Sequence, residues 1–158
     1  MDLFDSSFTE LWKLLNQHEV KYILVGGFAT NLHGYQRLPV TWIYIEATVE
    51  NRKKLRQAYK IYSNIDFEGF ERIQFVPGWV DFPLNNGLRL DIMTEMAGVE
   101  AGFNECLKEA KKCDINGIMV PVLHISHLIE NKKSVGWPKD QLDVIYLEKI
   151  KKLRDEEG

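Results

Sequence analysis

The residues of this sequence best suited to chemistry fall in three separated stretches. In the first, the apolar run Tyr22 to Val25 ends in Gly26-Gly27, and Arg37 follows ten residues on. Glycine lets a backbone come close to a phosphate, and amides at a helix start bind anions. The same pair also serves as a plain strand-to-helix turn. Arg37 can meet a phosphate with two N–H groups or pair with a carboxylate at the surface. In the second stretch, Asp91 places a carboxylate inside the run Leu88 to Met93. The third gathers Lys132, Lys133, Lys139, Asp140 and Asp143 into the most charged C-terminal cluster. Asp140 near a helix start also simply favours the dipole. His124 and His127 form a His-x-x-His pair, but no third ligand or supporting acid stands at zinc-site spacing.

These residues need elements to hold them. Ser7 with Glu10 fits a capping box, and Phe8, Leu11, Trp12, Leu14 and Leu15 make an apolar helix face behind it. Tyr22 to Val25 reads as a buried strand, and Phe28 to His33 as a short helix stopped by Gly34. Val40 to Ala47 is rich in β-formers, and Thr48 caps a charged helix carrying Leu55, Ala58, Tyr59 and Tyr62. Ile73–Val76 and Trp79–Phe82 read as short strands about a Pro77-Gly78 turn, and Asn85-Asn86-Gly87 leads into a central strand from Leu88 to Met93. Gly102 to Lys112 is expected to be helical. Asn116-Gly117 marks a two-residue hairpin. Ser126–Lys133 and Lys139–Lys152 read as helices separated by Gly136-Trp137-Pro138.

Three segments together resemble the nucleotidyltransferase superfamily, in particular its small bacterial members related to abortive-infection (AbiE-type) toxins. The first is Tyr22-Ile-Leu-Val-Gly-Gly-Phe-Ala-Thr-Asn-Leu-His-Gly-Tyr-Gln-Arg37, similar to that group's strand, Gly-Gly turn, short helix and His-Gly-x-x-Arg ending. The second, Leu88-Arg-Leu-Asp-Ile-Met-Thr-Glu-Met-Ala-Gly98, resembles the strand that carries the family's third carboxylate. The third runs from Val120 to Asp143 and is similar to a tail of strand, helix, Lys and Pro-Lys-Asp-x-x-Asp. The resemblance implies an α/β (α+β) fold with a mixed sheet flanked by helices and helices at the C-terminal end. It implies nucleotide-binding roles for Gly26, Gly27, His33, Arg37, Lys133 and Lys139, and a catalytic, metal-binding role for Asp91. His33 equally suits packing at a helix end.

In active relatives the strand after the Gly-Gly helix carries Asp-x-Asp, two acids on one strand face. With the third acid they hold Mg²⁺, which orients a nucleoside triphosphate for displacement at its α-phosphate. Here the stretch reads Arg37-Leu-Pro-Val-Thr-Trp-Ile-Tyr-Ile-Glu46. Anchored on Ile45-Glu46-Ala47-Thr48, the acid positions fall on Val40 and Trp42; one residue on, they fall on Thr41 and Ile43. Neither register supplies a carboxylate. Glu46 shares a strand face with Trp42 but lies ~13 Å along the strand, too far to replace a direct ligand. Trp42 suits core packing, or stacking on a nucleobase.

The chain has 158 residues, 45% of them hydrophobic and 27% charged, which suits one globular domain over residues 1–158. Only the polar end, Asp155 to Gly158, is expected to be disordered. A net charge of −3 gives no global field for nucleic acid. Cys106 and Cys113 read as reduced thiols. With no leader-like N-terminus and no run long enough for a bilayer, a cytoplasmic protein without membrane association is expected. The sequence thus leads to a nucleotidyltransferase-fold protein with a degenerate metal site, its Mg²⁺ weak or absent. The alternatives are a non-catalytic protein that binds a nucleoside triphosphate, and a toxin–antitoxin or phage-defence module with a protein or RNA partner.

Overall fold

The computed structural model describes residues 6–25, 41–75, 81–135 and 138–157, with backbone alone for 138–140 and 157. The elements are α1 (Ser6–Gln17), β1 (Tyr22–Val25), β2 (Thr41–Ile45), α2 (Val49–Ser63), a 3₁₀ turn (Glu68–Glu71), β3 (Asp81–Pro83), β4 (Arg89–Met93), α3 (Phe103–Glu109), β5 (Lys111–Ile115), β6 (Ile118–Val122), α4 (Ile125–Val135) and α5 (Pro138–Glu157).

The described strands form one mixed sheet in the order β3-β4-β2-β1-β6-β5. β1 pairs antiparallel with β2 and parallel with β6, while β2 pairs parallel with β4. The outer pairs β3–β4 and β5–β6 are antiparallel hairpins. Alternation assigns the side chains to two faces. Tyr22, Leu24, Ile43, Ile45, Leu90, Ile92 and Phe82 share one face. It is covered by α1 and α2: Trp12 stacks on Tyr22 at 6.0 Å, and Tyr59 and Phe70 meet Phe82 at 5.9 and 4.4 Å. Ile23, Val25, Trp42, Tyr44, Asp91, Met93 and Asp81 share the other face, where Phe103 of α3 meets Tyr44 edge-on at 5.0 Å. All four residues of β1 are buried, as a strand with both faces covered requires.

Local chemistry fixes where these elements begin and end. Thr48 caps α2 by accepting the Asn51 amide at 3.3 Å. Asn51 is itself buried, and its side chain bonds the Lys21 amide (2.7 Å), the Lys21 carbonyl (3.0 Å) and the Glu46 carbonyl (2.9 Å). That one amide pins the start of α2 to the paired ends of β1 and β2. α2 ends where Asn64 turns left-handed (φ 61°) and returns its N–H to the Lys60 carbonyl. Asn116 and Gly117 both take positive φ, the two-residue hairpin geometry expected of them. Pro138 opens α5, where a missing N–H costs nothing.

The expected mixed sheet flanked by helices is what the structure holds; several boundaries differ. α1 is described from Ser6, next to the start expected at Ser7. Ile73 to Phe75 form no strand. Arg52 donates to the Ile73 carbonyl at 2.7 Å and sits 4.9 Å over the Phe75 ring, which draws this segment onto α2 beside the 3₁₀ turn. α3 stops at Glu109, and Lys111 and Lys112 belong to β5, because the Asn116-Gly117 hairpin recruits them opposite Val122 and Pro121. The C-terminal end, expected to be disordered, is helical through Glu157. The expected helix at 28–33 and the turn at Pro77-Gly78 lie outside the described residues.

Candidate functional site

One row of side chains crosses the middle of the sheet. β1 places Val25 opposite Trp42, β2 places Trp42 beside Asp91, and β3 places Asp81 opposite Asp91. Direct partners on adjacent strands stand about 5 Å apart and point to the same face. Val25, Trp42, Asp91 and Asp81 are therefore consecutive neighbours, and Val25 is the residue that precedes Gly26 in sequence. Trp42 is partly buried and packs against the core. Exposure rises along the row, from buried Val25 through half-buried Trp42 and Asp91 to exposed Asp81.

The electrostatics follow from this order. Burial holds the Asp91 carboxyl above the usual aspartate range, the Asp81 charge raises it further, and Arg89 opposes both. Arg89 is two residues from Asp91 on the same face, but its Nε donates to Asp81 Oδ1 at 2.5 Å and its Nη2 to the Asp81 carbonyl at 3.3 Å. The guanidinium thus neutralises the outer acid and leaves the inner one with an indole on its other side. A carboxyl whose value is raised by folding binds its proton more tightly in the native chain. Stability therefore falls as pH rises from the ordinary aspartate range through the folded value, and the loss is complete above it. Asp91→Asn should remove that loss. Urea unfolding should find the variant more stable than its parent at pH 7 and equal to it below the ordinary aspartate range. A variant no more stable at pH 7 would contradict this account.

Beside Asp91, Trp42 presents an indole and Asp81 is engaged by Arg89. Among the described residues, no group of three or more His, Cys, Asp or Glu stands close enough together to hold an ion. Glu46 is committed elsewhere: its Oε2 lies 3.4 Å from Lys21 Nζ, and its Oε1 accepts from the Thr48 hydroxyl at 2.9 Å.

Lys132 and Lys133 join two helices in this structure. Lys133 Nζ reaches Glu148 Oε1 at 2.7 Å across the exposed faces of α4 and α5. Lys132 is buried and meets buried Asp143 at 2.9 Å. The two helices are thus joined by one exposed ion pair and one buried one. α4 in turn lies against the loop after β4, where Asn131 donates to the Ala97 carbonyl at 2.9 Å. Gly98 (φ 77°) approaches so closely that an added Cβ would stand 2.3 Å from Ser134 Cβ. His124 and His127 have ring centres 6.1 Å apart, and His127 Nε2 lies 3.5 Å from Glu109 Oε2. Gly26, Gly27, His33, Arg37 and Val40 lie outside the described residues, as do the Lys139 and Asp140 side chains. Asp81 is the neighbour of Asp91 that the sequence reading passed over.

No protein-family model matches the chain, and no curated protein matches it. Among solved structures, the chain is similar to the crystal structure of ANT(2")-Ia in complex with adenylyl-2"-tobramycin. The two are 15% identical, with 94% of this chain and 93% of that chain covered and a TM-score of 0.49.

Among the described residues, no helix is long and apolar enough to cross a membrane.

Proposed function

We propose that this chain is a nucleotidyltransferase-fold protein whose metal site has degenerated, kin to the small bacterial abortive-infection group, and that it binds a nucleoside triphosphate without transferring it. The observation that carries this reading is the parallel register that sets Trp42 beside Asp91. The sequence anchor at Ile45-Glu46-Ala47-Thr48 assigns position 42 to the second acid of an Asp-x-Asp pair, and a neighbour of Asp91 is what that assignment requires. Tryptophan there removes a ligand and narrows the space an ion would occupy.

The ancestral reaction in this reading is transfer of a nucleoside monophosphate from a triphosphate. In this reading Gly26 and Gly27 act as backbone donors to the nucleotide and Arg37 and Lys139 as cations, while Lys132 and Lys133 are engaged by Asp143 and Glu148. Calorimetry with ATP, GTP and CTP, each with and without Mg²⁺, tests it. The expected result is binding at roughly micromolar affinity to at least one of them, unchanged by the metal. No binding to any of the three would remove the nucleotide reading, and strong magnesium dependence would remove the degenerate-site reading.

A further inference from the structure

The row across the sheet holds a negative charge that nothing in it balances. Asp81, Asp91 and Arg89 share a face, and Arg89 closes on Asp81 through Nε at 2.5 Å and Nη2 at 3.3 Å. Among the described residues no donor reaches the Asp91 carboxylate in a hydrogen bond or an ion pair. Burial and the Asp81 charge both raise its affinity for a proton. A carboxylate drawn part-way out of water without a donor is a group that a bound cation stabilises.

The neighbour of that carboxylate decides which cation. Trp42 is its register partner across β2 and β4, so the two side chains rise from one face about 5 Å apart. An indole extends farther from its strand than an aspartate does, and it stands beside the shorter acid as a wall. Both residues keep accessible surface. Among the described residues Trp42 pairs with no other ring and with no cation. Of the aromatic faces, indole attracts cations most strongly. A carboxylate accepts charge-assisted hydrogen bonds. A primary ammonium answers both groups: it carries the charge, three N–H donors and an apolar stem to lie on the ring. A phosphate is repelled by Asp91, and a neutral nucleobase stacked on the indole leaves the charge unbalanced.

We infer that Trp42 and Asp91 form a binding site for the primary ammonium of a small organic amine, the carboxylate accepting its N–H groups and the indole meeting its charge. The site needs neither nucleotide nor magnesium, so the inference stands apart from the proposed function.

Titration of the full chain with putrescine at constant ionic strength, followed by NMR through the Trp42 indole N–H and the backbone amides of β2 and β4, tests it. The expected result is saturable binding with a dissociation constant on the order of 1 mM, and shifts centred on Trp42 and Asp91. Asp91→Asn should weaken binding about tenfold and Trp42→Leu about threefold, with amide spectra that show both variants folded. Tetramethylammonium, which has no N–H to donate, should bind several-fold more weakly than putrescine. No saturable shift up to roughly 20 mM amine overturns the inference. So does an affinity indifferent to Asp91→Asn, which would place the amine on other surface acids, or equal binding of tetramethylammonium, which would remove the hydrogen-bonding role. No nucleotide is present in this titration, so its failure and a failure of ATP, GTP and CTP to bind are separate results.

Discussion

Replacing Lys132 with alanine should cost about 3–5 kcal/mol of folding stability, among the largest losses any single substitution at a polar side chain in this chain can cause. Lys132 and Asp143 are 6% and 1% exposed and meet at 2.9 Å, so removing the ammonium takes a 2.9 Å charge partner from a buried carboxylate. The expense combines the lost attraction with the cost of keeping the remaining charge out of water. The double variant Lys132→Met/Asp143→Leu, which removes both charges and keeps the volume, should therefore recover most of the loss. Denaturant unfolding of the two singles and the double closes the cycle. A single variant that costs under about 1 kcal/mol would mean that water reaches the pair.

The second large effect concerns binding. Val40→Asp with Trp42→Asp rebuilds the acid pair at the positions the resemblance assigns to it, of which 42 stands beside Asp91. Under the proposed function, nucleotide affinity should be indifferent to Mg²⁺ in the parent, and in the double variant should become magnesium-dependent and tighten by about tenfold or more when the metal is added. Label transfer from a labelled triphosphate should appear only in the double variant. Losing the indole from a half-buried position should cost on the order of 2–4 kcal/mol, so folding is checked by circular dichroism before titration. A folded double variant that ignores magnesium would show that positions 40 and 42 never framed this site.

Much of the row was legible before any coordinates, and its less legible parts have physical reasons. Asn85-Asn86-Gly87 announced a turn. Leu84 and Leu88 close it through a 2.8 Å amide–carbonyl bond, with Gly87 left-handed at 83°. Counting outward from that three-residue loop sets Pro83 against Arg89 and Asp81 against Asp91, so the neighbour of Asp91 was there to be found by arithmetic. The Trp42–Asp91 contact offers no such count. β2 and β4 are parallel and separated by α2, so no turn fixes their register, and only the family resemblance pointed to it. Ile73 to Phe75 misled because β-branched and aromatic residues fit either a strand or any half-buried surface, and here Arg52 claims the segment. The buried partnership of Lys132 with Asp143 is also invisible to spacing, since it depends on how α4 and α5 cross. Spacing shows only a cluster of charges there, and the resemblance implied a triphosphate contact for a lysine among them and a place at the helix start for Asp143.

The sheet order has a consequence for how this chain meets others. Among the described residues the outermost strands are β3 and β5. The first ends in Pro83, which has no amide hydrogen to offer; the second sets exposed Lys111, Lys112 and Asp114 along its length. A foreign strand meets a proline at one margin and a fence of charge at the other, so fibrous growth by strand addition is discouraged at both.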